Sequence, residues 1–175
     1  MSIPDVDPSA MLDSSNSHDN GEESSRPNFS MAAGDFVSIY SSPHHQHKWK
    51  GVASCFFLDT APCVVEYLHV IHGMLDVGGF LINFGPLHFH WSGPPFRPDD
   101  ESDENYVAKH SHMDSRYLKS VDMSWQDVKE VLLRIGFELL EEQLFLPAQY
   151  TADSKSFMRT QYQCIFFVAK KVSRK

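Results

Sequence analysis

Apolar residues along this chain gather in two blocks, 52–91 and 124–169, and the period of the pattern changes within each block. KGVASCFFLD (50–59) is a short apolar run rich in β-formers and too short for a helix, so it predicts a buried strand. Thr60 then offers a helix N-cap, and Pro62 suits a first turn, where its missing N–H goes unused. Val64, Val65, Leu68, Ile71 and Leu75 recur at helical spacing. Gly78-Gly79 supplies a turn, and FLINF (80–84) predicts a second buried strand. Strand, helix and strand make a βαβ unit with an expected right-handed crossover.

The second block repeats the alternation. Ser124 with Asp127 three residues on is the start of a capping box, Val128, Val131, Leu132 and Ile135 share one helical face, and Gly136 stands where a helix stops. Phe137–Phe145 and Gln163–Ala169 read as strands, and the long linker between them implies an antiparallel pair at a sheet edge. The order β-α-β-α-β-β predicts an α/β fold, the second half of an open sheet.

The remaining sequence is polar. Residues 1–33 hold almost no apolar cluster, and Pro8–Pro27 is mostly Ser, Asp, Asn, Glu and Pro, so 1–27 is expected to be mostly disordered. The folded part is expected over 28–171, with a mobile loop at 92–116 that carries PPFRPDDESDE and several histidines. At 42% apolar, the 175 residues suffice for one core. The net charge is −8 and the basic residues cluster only in the tail Lys170, Lys171, Arg174, Lys175, which argues against a nucleic-acid partner. Three cysteines make no disulfide framework and fit a reducing compartment. MSIPDVDPSAML has neither the basic nor the apolar part of a signal peptide, and no apolar run approaches the roughly 20 residues of a membrane span. The expected location is the cytoplasm, with the nucleus as a second, and no membrane partner is expected.

In open α/β sheets ligands bind beyond the carboxyl ends of the strands. Asp59 and Thr60 follow the first strand; Asn83, Gly85, Pro86, His88 and His90 end or follow the second. Asp59 reads either as a cap for a helix starting near Ala61 or as an anionic acceptor for a substrate. His88 and His90 alternate and would share one face of a strand, but no CxxC or HExxH accompanies them, so no metal is expected. Tyr162 shares a strand face with Cys164 and by spacing alone is a packed aromatic. Cys55, flanked by apolar residues, reads as inert core. The dipeptide Asp35-Phe36 has the chemistry to hold an adenine by hydrogen bond and stacking.

Several of these segments together resemble the carnosine N-methyltransferase family. They are IPDVDP (3–8), NFSMAAGDF (28–36), SCFFLDTA (54–61), EYLHVIHGML with GGFLINFGPLHFHW (66–91), MSWQDVKEVLLRIGF (123–137) and YQCIFFVAKK (162–171). The resemblance implies a Rossmann-like class I methyltransferase fold with its first strands missing. It also implies S-adenosyl-L-methionine as cofactor and methyl transfer to an imidazole nitrogen of carnosine, giving anserine, or of a related histidine-containing peptide. Carried across by position, it makes Asp35 and Phe36 adenosyl contacts and Asp59, His90 and Tyr162 contacts to a small dipeptide substrate, with Asp59 and His90 catalytic. Gly51 stands where family members carry a cofactor-touching cysteine.

Two family features are absent: a Gly-rich turn after a first strand and an acidic residue after a second. The 175-residue chain alone is therefore expected to bind S-adenosylmethionine weakly or not at all; micromolar binding by calorimetry would contradict this. An enzyme portion and a non-catalytic remnant that docks an exposed sheet edge on another chain are the two readings. The sequence leaves oligomeric state, a homo-oligomer included, open.

Overall fold

The structure is a computed structural model and describes residues 32–92, 116–150, 153 and 155–173. The chain divides into two units, Met1–Gly34 and Asp35–Lys175, and the described helices and strands belong to the second. The polar segment 1–27 and the loop 92–116, apart from Ser92 and Arg116, lie outside the described residues.

A short helix α1 (Phe36–Tyr40) leads into β1 (Trp49–Cys55), α2 (Val64–Met74) and β2 (Leu75–Gly85). After the next described residues come α3 (Trp125–Ile135), β3 (Phe137–Gln149) and β4 (Gln161–Lys171). The sheet order is β1-β2-β4-β3, with β1 and β2 parallel and β4 antiparallel to both β2 and β3. This is the expected open α/β arrangement, with the antiparallel pair at one edge. Among the described residues, no helix is long and apolar enough to cross a membrane.

One face of the sheet carries the core. Val52, Leu81 and Ala169 align across three strands and pack with Leu68 and Ile71 of α2 and Val128 and Leu132 of α3. Each fully buried Leu, Ile or Val among them contributes about 1.5–3 kcal/mol through the apolar area it removes from water. α3 keeps both of its sequence signals. Ser124 and Asp127 close a reciprocal capping box, and Gly136 ends the helix at φ +116°, a left-handed conformation that glycine adopts at little cost. Trp125 Nε1 donates to Glu142 of β3 at 2.7 Å, and Lys129 pairs with the same carboxylate, tying the helix to the sheet edge.

Five expectations need correction. The two strands of the βαβ unit are buried on one face only, because among the described residues nothing covers the other. Phe80 and Ile82 are exposed there, and Cys55 is exposed at the end of β1 rather than inert core. The first strand stops at Cys55, not Asp59, because Phe56 turns the backbone to φ +50°. Thr60 caps nothing: Cys63 is the N-cap of α2, and the Thr60 hydroxyl donates to the carbonyl of Phe57 at 2.6 Å. Gly78-Gly79 makes no turn, since α2 passes directly into β2 at Leu75. The pair lies in a bulge: Trp49 pairs with Leu75 but Gly51 with Phe80, and Gly78 sits at φ +85°.

The direct passage from α2 into β2 leaves the last helical carbonyls to be satisfied from elsewhere. The N–H groups of His47 and Lys48 donate to Gly73 and Met74 at 2.9 and 3.0 Å. Lys171, at the end of β4, is buried and donates to the carbonyls of His72 and Leu75 at 2.7 Å each. Its third contact, at 3.1 Å, is Nδ1 of His47, which accepts when the imidazole is neutral with its proton on Nε2. Lys171 is thus no part of a solvated basic tail. Burial holds its amine below the usual lysine range.

Candidate functional site

The site forms where β1 and β2 end. The positive φ of Phe56 still lets its N–H donate to Phe84 at 2.9 Å, so the chain leaves the sheet while held against it. This close approach requires Gly85: a Cβ there would lie 3.0 Å from Phe56 N and 3.1 Å from Phe56 Cα, both backbone atoms. Gly85→Ala is expected to cost about 1–3 kcal/mol of stability, read by thermal or denaturant unfolding, because neither strand can yield without breaking the ladder.

Beyond the kink, Leu58–Thr60 is a single 3-10 turn that buries Asp59 to 2% exposure. The cap reading of Asp59 fails, since its carboxylate serves a different element altogether. Oδ2 accepts the N–H of His88 at 3.1 Å, and the Asp59 carbonyl accepts the N–H of His90 at 3.1 Å. Trp91 Nε1 adds a bond to the Thr60 carbonyl at 2.8 Å. Three hydrogen bonds thus sew segment 88–91 to the turn that carries Asp59. Desolvation pushes the Asp59 carboxyl above the usual carboxylate range, against the opposing pull of the His88 N–H and of His90 and His88 charge.

His88 and His90 are not on a strand, because β2 ends at Gly85 and Pro86 follows. They still project together, because Phe89 between them is buried in the core cluster and both flanking rings are exposed. Their ring centroids are 6.3 Å apart. Tyr162 approaches from β4 with its ring 6.4 Å from His88 and 5.8 Å from Phe56. Two residues further on, buried Cys164 has its thiol raised first by desolvation and then by the Asp59 charge. Asp59 thus meets His88 and His90 through segment 88–91, and Tyr162 meets the same segment at the His88 ring. Among the described residues no His, Cys, Asp and Glu cluster could hold a metal ion.

Phe36 and Gly51 belong to a neighbouring feature, whose lining does not include Asp35. Asp35 caps α1, its Oδ1 accepting the N–H of Ser38 at 2.8 Å. That bond, with a smaller pull from Arg116, holds its carboxyl below the usual range. Phe36 packs between Tyr40, Phe57 and Tyr67 at centroid distances of 4.9–5.2 Å. Phe36 and Gly51 both line a groove of about 390 Å³ along β1, shared with Phe57, whose chain continues to Asp59. Ser54 lines it too, and its buried Oγ has no hydrogen-bond partner. Sequence reasoning missed Ser54, although a polar residue at an inward position of an apolar strand was the available signal.

A family model described as carnosine N-methyltransferase matches residues 1–173. The chain belongs to that family. Carnosine N-methyltransferase of Rattus norvegicus is 34% identical over 169 residues, which cover 97% of this chain and 33% of that protein. The Schizosaccharomyces pombe protein of the same description is 30% identical over 170 residues, covering 97% and 39%. The chain thus spans about a third of the length of the curated relatives it matches first. Among solved structures, a SAM-dependent methyltransferase from Archaeoglobus fulgidus superimposes at 13% identity with a TM-score of 0.47, covering 80% of this chain and 66% of that one.

The groove fits the adenosyl part of the methyl donor that such a family uses. Its walls are apolar and aromatic, its volume is in the range of small-molecule sites, and the unpartnered Ser54 hydroxyl is a polar group in need of a ligand. At Gly51 an added Cβ would meet only the Phe80 carbonyl at an ordinary 3.7 Å, so the glycine is not imposed by packing.

Proposed function

We propose that this chain carries the substrate-holding part of an S-adenosylmethionine-dependent N-methyltransferase that acts on an imidazole nitrogen of carnosine, giving anserine, or on a closely related histidine-containing peptide. The observation that supports it best is a buried carboxylate, Asp59, held beside two outward histidine rings and a tyrosine. When bound, S-adenosylmethionine supplies the methyl group: a bond forms from the ring nitrogen to the methyl carbon as the S–CH3 bond breaks.

The chain's own residues do the rest. An imidazole with a reference pKa near ~6.5 is largely neutral at pH 7, so one ring nitrogen has a free lone pair and the other carries the proton. Asp59 accepts that distal N–H, fixes the tautomer and stabilises the positive charge that develops on the ring. The raised basicity of its carboxyl favours taking the proton as the ring becomes methylated, for release to water. His90 orients the ring, and Tyr162 holds the peptide.

The test is a chimera in which this chain replaces the matching third of the rat relative, incubated with carnosine and S-adenosylmethionine. A product heavier by one methyl group, with the methyl on the ring, is expected. A soluble chimera that binds both ligands without methylating carnosine would overturn the proposal and favour a non-catalytic interaction module, a reading supported by the uncovered sheet face bearing Phe80 and Ile82.

A further inference from the structure

The three residues that resemblance assigns to the substrate leave a gap, and His88 fills it. His90 and Tyr162 each have a ring contact with His88 at 6.3 and 6.4 Å, so a ligand that reaches from Asp59 and His90 to Tyr162 passes over the His88 imidazole. Its position is fixed twice over. The backbone N–H is bonded to the Asp59 carboxylate, and the next residue, Phe89, is buried in the core. Its ring is exposed, and among the described residues the ring nitrogens make no hydrogen bond. A rigidly mounted, exposed imidazole is placed to meet a ligand.

The ligand chemistry narrows its role. A histidine-containing dipeptide whose ring is held at Asp59 still presents a carboxylate, an amide and an ammonium on the same short chain. Beside that buried acid, segment 88–91 carries the His88 and His90 imidazoles. An anionic group of the substrate needs donors on the outer side, and His88 with the Tyr162 hydroxyl supplies them.

We infer that His88 is a specificity residue that hydrogen-bonds the carboxylate of the dipeptide and so distinguishes it from ligands that carry the same imidazole without that carboxylate. This rests on the substrate reading above, from which its failure can be told apart.

The decisive comparison is carnosine against carcinine, the same molecule without the carboxylate, titrated by calorimetry into the full 175-residue chain at pH 7. Wild type is expected to prefer carnosine by at least about fivefold, the size of one charge-assisted hydrogen bond at a solvent-open site. His88→Ala keeps the backbone N–H that Asp59 needs; it is expected to erase that preference while carcinine affinity moves less than about twofold. His88→Gln, which keeps a side-chain donor, is expected to restore part of the preference. Equal wild-type affinity for the two ligands, an unchanged ratio in His88→Ala, or equal weakening of both ligands would each overturn the role of His88. Wild type that binds neither ligand at millimolar concentration would overturn the substrate reading itself, and this inference with it.

Discussion

Asp59→Asn is expected to lower methyl transfer by at least about tenfold in an active chimera, while the melting temperature of the chain stays the same or rises. The two effects separate because the aspartate is costly to the fold. Asn retains an oxygen for the His88 N–H, so the turn at 58–60 keeps its anchor, and a buried charge is removed. The pH dependence follows from the same cause. The folded-state pKa is raised, so between the ordinary carboxylate range and that raised value the native protein binds more protons than the unfolded chain. Stability contributed by Asp59 is therefore present at low pH and lost as pH rises through that window. Unfolding measured across the acid range should show that loss in wild type and its absence in Asp59→Asn. A variant that loses stability and turnover together would make Asp59 a structural residue.

Lys171→Met should produce the largest change in stability, about 2–4 kcal/mol, or roughly 5–15 °C in melting temperature. Methionine fills a similar volume but leaves the carbonyls of His72 and Leu75 without the donor that Lys171 Nζ provides in a buried setting. The ends of α2 and β4 are joined by this one ammonium group, and α2 packs under the strands that carry Asp59 and the His88–His90 segment. Substrate affinity should fall only in proportion to the unfolded fraction, because Lys171 has no contact at the site. A melting temperature within about 2 °C of wild type would mean that water replaces the ammonium at little cost.

What could be read in advance follows the range of the interactions. α3 was legible from end to end because its start and stop are written within a few residues, Ser124 to Asp127 and Ile135 to Gly136. The end of β1 was not. The apolar letters of CFFLD continue past it, while the strand stops because Phe56 adopts a conformation that depends on Gly85 in another strand. The Asp59 side chain was open between cap and acceptor for the same reason: its partner, the His88 N–H, lies 29 residues away. Likewise the donors that finish α2 come from His47, Lys48 and Lys171, the last 99 residues from His72. The alternation of His88 and His90 did survive as a shared outward direction, although Phe89 in the core enforces it and not a strand.

On the proposed mechanism, Asp59 fixes one tautomer of a bound imidazole. Nitrogen NMR of carnosine labelled in its ring, saturated with this chain, measures that directly. A single protonated and a single unprotonated ring nitrogen, with separate shifts and a proton strongly displaced by a carboxylate, is the predicted result. Ring nitrogens that keep the averaged shifts of the free dipeptide in the saturated complex would contradict it.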